Sequence, residues 1–193
     1  MAAVGLRERK KLETRRELVA AARELVGERG LTGVTVEEIA AAAGVSTRTF
    51  FNYFSSKEEA LVGVDPDVVA EKADELRRRP ATEGPVRALQ TVLVAWIEPE
   101  KSLPHRQLRD ALVGRHPELM PRHLAALADI QSAFTVAMAE RLGTDPDTDP
   151  RPAVLVAAAF AAMNAAIAWW ERSDRSRPLP SVLDEAFGLV AAV

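Results

Sequence analysis

The chain has 193 residues, 48% of them hydrophobic and 27% charged, and a formal net charge of -3. That is enough apolar material for a packed core, either as one medium domain or as a small domain joined to a larger one, and it excludes a globally disordered chain. It contains no cysteine, which excludes disulfides, thiolate nucleophiles and cysteine-ligated metals.

Alternating β-branched runs are almost absent, so the sequence predicts an all-α fold of about nine helices. A first helix is expected over residues 6–28. Leu12, Leu18, Val19, Ala22, Leu25 and Val26 give it an apolar stripe at helical spacing, and Gly30 follows as a C-terminal cap. A short second helix starts at Thr35. Thr35 and Glu38 have the spacing of a capping box, with Val34 and Ile39 as its hydrophobic staple. Gly44 ends that helix in a left-handed conformation, and Ser46 caps a third over residues 47–54. Ser56 starts a fourth, broken or kinked at Gly63 and Pro66 and resuming to residue 79. A turn follows over 80–85. Further helices are expected over 85–98, 103–113 and 118–142. The polar loop GTDPDTDP (143–150) separates these from long helices over 151–172 and 179–192.

The charge is unevenly distributed. Residues 1–16 carry Arg7, Arg9, Lys10, Lys11, Arg15 and Arg16 against Glu8 and Glu13, while the chain beyond residue 60 carries 15 bases and 19 acids. A basic end on an acidic protein suits nucleic-acid contact. The most apolar stretch, 152–170, could just span a bilayer at about 19 residues. Its alanines gain little from leaving water and it contains Asn164, so a soluble helix is expected and no membrane partner. No apolar run precedes the N-terminal charges, so no secretory signal is expected and the expected location is the cytoplasm.

Two short helices around a glycine-containing turn, after a longer helix, form the pattern of a helix-turn-helix. In the second of them Phe50 and Phe54 share one face. Arg48 and Asn52 lie opposite, Thr49 and Phe51 flank the exposed side, and Thr47 stands in the first turn. Arg can pair with guanine O6 and N7, Asn with adenine N6 and N7, and Thr or Phe can pack on a thymine methyl. Tyr53, Lys57 and Thr35 are candidates to hold phosphates. Four aromatics within five residues, of ten in the chain, exceed what a small core needs.

These residues resemble the DNA-binding domain of the TetR (tetracycline-repressor) family. The matching pieces are T-R-x-x-L-x-x-A-A over 14–22, E-R-G-L over 28–31, T-V-E-E-I-A-x-x-A-G-V over 35–45 and F-x-N-Y-F-x-S-K over 50–57. The resemblance implies a three-helix DNA-binding domain (1–56) and a larger helical domain (57–193) that dimerises through its last two helices and encloses an effector. It places DNA contacts on Thr47, Arg48, Thr49, Phe51, Asn52 and Tyr53, with phosphate contacts on Thr35 and Lys57. One departure is Phe51. The family often has a second Tyr here or at the Asn52 position, and Phe51 has no hydroxyl to offer a phosphate. The C-terminal half loosely resembles actinobacterial members, some of which sense acyl or other lipophilic compounds.

In the C-terminal half, Ala153, Ala157, Ala161, Ala165 and Ala168 give one helix a flat face for close approach, and Trp169 and Trp170 are large anchors. Candidate effector contacts are Trp96, Phe134, Met138, Phe160, Met163 and Asn164, a mainly apolar set with one amide. An amide in an apolar helix needs a partner. His105, His116 and His123 have no metal-site spacing, Arg77–Arg79 complements a helix C-terminus, and no catalytic or nucleotide motif is present. The expectation is therefore a regulator without catalytic cofactor, binding a palindromic operator as a homodimer. The rivals are a helical enzyme or carrier, and a protein-binding module that uses Phe51 and Tyr53.

Overall fold

The computed structural model describes residues 6–97 and 103–192. Among these there are ten α-helices and no strand. They are α1 (Leu6–Arg29), α2 (Val36–Ala42), α3 (Thr47–Phe51), α4 (Lys57–Val62), α5 (Pro66–Arg78), α6 (Pro85–Trp96), α7 (Leu103–Arg115), α8 (Met120–Leu142), α9 (Arg151–Arg172) and α10 (Leu179–Ala191). The tenth helix arises because α4 stops at Val62 and does not merely kink. Gly63 is extended, and Asp65 caps α5 by accepting from the Asp67 N–H at 3.1 Å. Pro66 holds the residue before it out of the α region and then serves as the first residue of α5. The predicted end of α6 at Glu98 lies outside the described residues, as do the side chains of Arg7, Arg9 and His105.

The chain divides into two compact units, one of residues 1–63 and 109–124, the other of 64–108 and 125–193. In the first, Leu18, Ala22 and Val26 of α1 are buried with Ile39 and Ala40 of α2, Phe50 of α3 and Leu61 of α4. Leu112, Val113 and Leu119, from a distant part of the sequence, complete this core. Arg122 pairs with Glu59 at 2.6 Å. Ser55 donates to that carboxylate through its N–H at 2.7 Å and its hydroxyl at 2.6 Å.

The second unit is built around Phe134 and Met138 of α8, Leu89 and Leu93 of α6, Ile167 of α9 and Phe187 of α10. Its α5–α6 corner has few backbone bonds of its own. Arg141 of α8 supplies them, its guanidinium donating to the carbonyls of Arg79, Pro80 and Glu83. Arg79 and Glu83 pair across the same corner at 2.6 Å. α9 is long and apolar enough to cross a bilayer, and a third of that apolar window is buried inside the fold. It packs on α6 and α10 through Val156, Ala159, Phe160, Met163 and Ile167.

A candidate DNA interface and an effector region

The helix-turn-helix is assembled by local hydrogen bonds. Thr35 Oγ1 accepts from the Glu38 N–H at 3.3 Å, and Glu38 Oε2 accepts from the Thr35 N–H at 2.9 Å. This is the capping box expected from the sequence, and Val34 and Ile39 are buried beside it. Arg29 reaches the same carboxylate at 3.1 Å. The Glu38 carboxyl is held below the ordinary carboxylate range, first by the Thr35 N–H and then by the Arg29 charge. At the other end of α2, the Val45 N–H bonds the Ala40 carbonyl and the Gly44 N–H bonds that of Ala41. That crossed pair is a Schellman closure. It requires a left-handed residue, and Gly44 sits at φ 67°.

Ser46 then caps α3, accepting from the Thr49 N–H at 3.1 Å. α3 is shorter than the predicted 47–54. It ends at Phe51, and Asn52 and Tyr53 turn the chain while the Phe54 N–H still bonds the Phe50 carbonyl. Phe50 and Phe54 are buried, 5.6 Å apart between ring centres. Arg48, Phe51 and Asn52 are exposed, and Thr47, Thr49 and Tyr53 are half-buried. Phe51 leaves 54% of its surface in water, so it is not a core residue. Its edge meets Phe50 at 5.6 Å, which fixes the ring's direction. Of the two phosphate candidates, Thr35 is exposed. Lys57 is half-buried, and its ammonium is bound to two carbonyls of its own chain.

Two bases of α1 also brace this unit: Arg15, part of the basic N-terminal end, and Arg23, which the sequence alone does not single out. Arg15 donates to the Tyr53 carbonyl at 3.2 Å, and its guanidinium covers the Phe54 ring at 4.4 Å. Arg23 is half-buried and donates to the Leu61 carbonyl at 3.4 Å. Burial, and then the charge of Arg109, lowers its affinity for its proton. In the sequence, Arg15 falls on the arginine of the T-R-x-x-L-x-x-A-A match, and both lie beside the apolar stripe of α1.

In the second unit, Phe134, Met138, Phe160 and Met163 are buried, while Trp96 and Asn164 are half-buried. The structure brings three of them together in an aromatic stack. Trp96 lies parallel to Phe134 at 5.9 Å, and Phe160 meets Phe134 edge-on at 5.5 Å. The amide of Asn164 has its partner in Arg106, which donates to Oδ1 at 3.1 Å. Arg106 was missed because it lies 58 positions away. Gln90 was missed too. It is buried, accepting from Arg87 at 2.9 Å and donating to Asp184 at 2.7 Å. These three side chains wall an open cleft of about 300 Å³ between α6 and α10. None of the six residues predicted for an effector lines that cleft.

The alanine face of α9 faces outward. Ala153, Ala157, Ala161 and Ala165 are exposed, and Ala168 is half-buried. Trp169 is exposed, and Trp170 is held by its indole N–H to the Arg177 carbonyl at 2.8 Å.

An exposed polar-aromatic helix on a capped helix-turn-helix, with a separate all-α unit, defines the class of a one-component DNA-binding regulator. Residues 18–62 match the family described as bacterial regulatory proteins, tetR family, and residues 83–193 match the MftR C-terminal domain. The chain is 34% identical to the HTH-type transcriptional regulator TcmR of Streptomyces glaucescens, over 94% of this chain and 84% of that protein. It is 28% identical to the putative mycofactocin biosynthesis transcriptional regulator MftR of Mycobacterium tuberculosis, over 88% and 85%. The fold is shared with SmeT, the repressor of the Stenotrophomonas maltophilia multidrug efflux pump SmeDEF. That structure superposes with a TM-score of 0.55 at 21% identity, over 92% of this chain and 88% of that one. The chain belongs to the TetR family of DNA-binding transcriptional regulators.

Proposed function

We propose that the protein is a cytoplasmic, ligand-responsive repressor that binds a palindromic operator as a homodimer. The observation that carries this reading is the split of α3. Across α3 and the turn that follows it, Phe50 and Phe54 are buried, while Arg48, Phe51 and Asn52 face water together. Arg48 and Asn52 offer bidentate readout of base edges, Phe51 packs on thymine methyls, and Thr47, Thr49 and Tyr53 are short-range partners at the groove. Thr35 offers its hydroxyl to a phosphate.

The outward alanines of α9, with Trp169 at their end, support the dimer. Helices meet closely over small side chains, and a two-fold pair presents two recognition helices about 34–36 Å apart to successive major grooves. The aromatic stack of Trp96, Phe134 and Phe160, with Met138 and Met163 beside it and Asn164 as polar handle, is the proposed seat of a lipophilic effector. A complex of SmeT with triclosan shows that fold relative with a small molecule bound. The effector must bind the operator-competent and incompetent forms differently, or it shifts nothing.

Selection of duplexes from a random DNA pool tests the reading. An enriched palindrome is the expected outcome. No enrichment by folded, dimeric protein, with or without candidate effectors, would refute it. On the selected duplex, Arg48→Ala is expected to lose base preference at one position, about 1–3 kcal/mol of discrimination. A uniform loss across sequences would move Arg48 to the phosphate backbone. Salt-insensitive binding to a protein instead of DNA would favour the interaction-module reading.

A further inference from the structure

Lys57 stands at the first position of α4, directly after its cap Ser56. The family resemblance gives it a phosphate. In the structure its ammonium is turned inward, and Nζ donates to the carbonyls of Leu31 and Val34, at 2.7 Å each. These acceptors lie 26 and 23 positions earlier, on the turn between α1 and α2. Both residues are fully packed, Leu31 4% and Val34 1% exposed. Val34 immediately precedes the capping box that starts α2. The ammonium thus ties the start of α4 to the joint from which α2 departs.

An ammonium has three donors, and two are occupied here by short charge-assisted bonds. Swinging to a phosphate would break both and leave two carbonyls to find new partners. The side chain is also half-buried, so its carbon stem is fixed among its neighbours. We propose that Lys57 is a positioning residue. It fixes the α1–α2 joint and so sets how α2 and the recognition helix stand on one another, and it does not neutralise a DNA phosphate. The proposal rests on the DNA-binding reading above.

Salt dependence separates the two roles. Each neutralised phosphate adds about 0.9 to the slope of log affinity against log salt. The probe is the duplex selected by the wild-type chain. Lys57→Met keeps an unbranched apolar stem and drops the charge. Lys57→Arg keeps the charge but spreads its donors over a plane, and it carries the test should Lys57→Met fail to fold. The expected result for both variants is an affinity about tenfold lower at every salt concentration with an unchanged slope. A slope shallower by about 0.9 for Lys57→Met, with Lys57→Arg restoring slope and affinity, overturns the proposal.

Amide exchange of the free protein supplies an arm that needs no DNA. The Glu38 and Ile39 N–H groups, bonded within the first turn of α2, are expected to exchange about tenfold faster in both variants. Unchanged exchange overturns the proposal. If the wild-type chain selects no duplex while these amides still respond, the DNA-binding reading fails and the brace at Lys57 stands.

Discussion

Arg15 and Phe54 are in face-on contact, the guanidinium carbon 4.4 Å from the ring centre, although they lie on opposite sides of the helix-turn-helix in sequence. The same guanidinium donates to the Tyr53 carbonyl at 3.2 Å. One α1 side chain thereby closes the end of the recognition segment twice, once through its charge over a ring and once through a backbone oxygen. Arg15→Ala is expected to lower stability by about 1–2 kcal/mol, from a partly desolvated cation–π contact and one charged hydrogen bond. Urea unfolding measures it. An unchanged midpoint would show that neither contact persists in solution.

Adjacent phenylalanines of α3 are expected to behave in opposite ways. Phe50 is fully buried, so Phe50→Ala should cost about 3–5 kcal/mol and can leave the first unit unfolded. Phe51 is 54% exposed, so Phe51→Ala should change stability by about 0.5 kcal/mol or less while weakening DNA binding. Thermal melts and binding titrations on the two variants decide this. A large loss of stability from Phe51→Ala would return that ring to the core.

The capping box gives the protein a component of acid sensitivity. Glu38 has its folded pKa lowered, first by the Thr35 N–H and then by Arg29. The stability it contributes is fully present above the pKa of the unfolded chain, about 4.3 for glutamate. It is lost as pH falls through the lower folded value. Glu38→Gln retains an acceptor for the Thr35 N–H but cannot ionise. The wild type should therefore be the more stable of the two at pH 7, with the gap closing below about pH 4. Urea midpoints at pH 7 and pH 3 test this, and a gap that persists on acidification would assign the effect to something other than the carboxylate charge.

The outward face of α9 makes a prediction about assembly. Ala161 is exposed in the single chain, so Ala161→Glu should leave monomer folding intact. Between two closely packed copies it would bury an unpaired charge. The expected outcome is dimer dissociation favoured by about 100-fold or more, about 2.8 kcal/mol, read by sedimentation at several concentrations. A variant that dimerises like the wild type would place the interface on another face.

The parts of this architecture that could be read from the sequence are those determined over three or four residues. The box at Thr35 and Glu38, the cap at Ser46 and the left-handed Gly44 each announce themselves because donor and acceptor are near neighbours in the chain. The buried and exposed faces of α3 follow from helical spacing alone. What escaped notice depends on long-range partners. Nothing near Lys57 shows that its acceptors lie at residues 31 and 34, or near Asn164 that its partner is Arg106. The early end of α3 has a similar origin, since the turn at Asn52 and Tyr53 is held from outside by Arg15. Leu112, Val113 and Leu119 sit in the first core because of tertiary packing, which helical periodicity cannot reveal.

The corner held by Arg141 has a consequence for how the protein is made. The three carbonyls it binds belong to residues 79, 80 and 83, 58 to 62 positions earlier in the chain. During synthesis α5 and α6 leave the ribosome well before the side chain that joins them. At roughly 5–20 residues per second the corner waits on the order of 3–12 s for its guanidinium. Throughout that interval the two helices meet without the arginine that fixes their angle. The α5–α6 corner therefore gains these three hydrogen bonds only after the far end of α8 has been made.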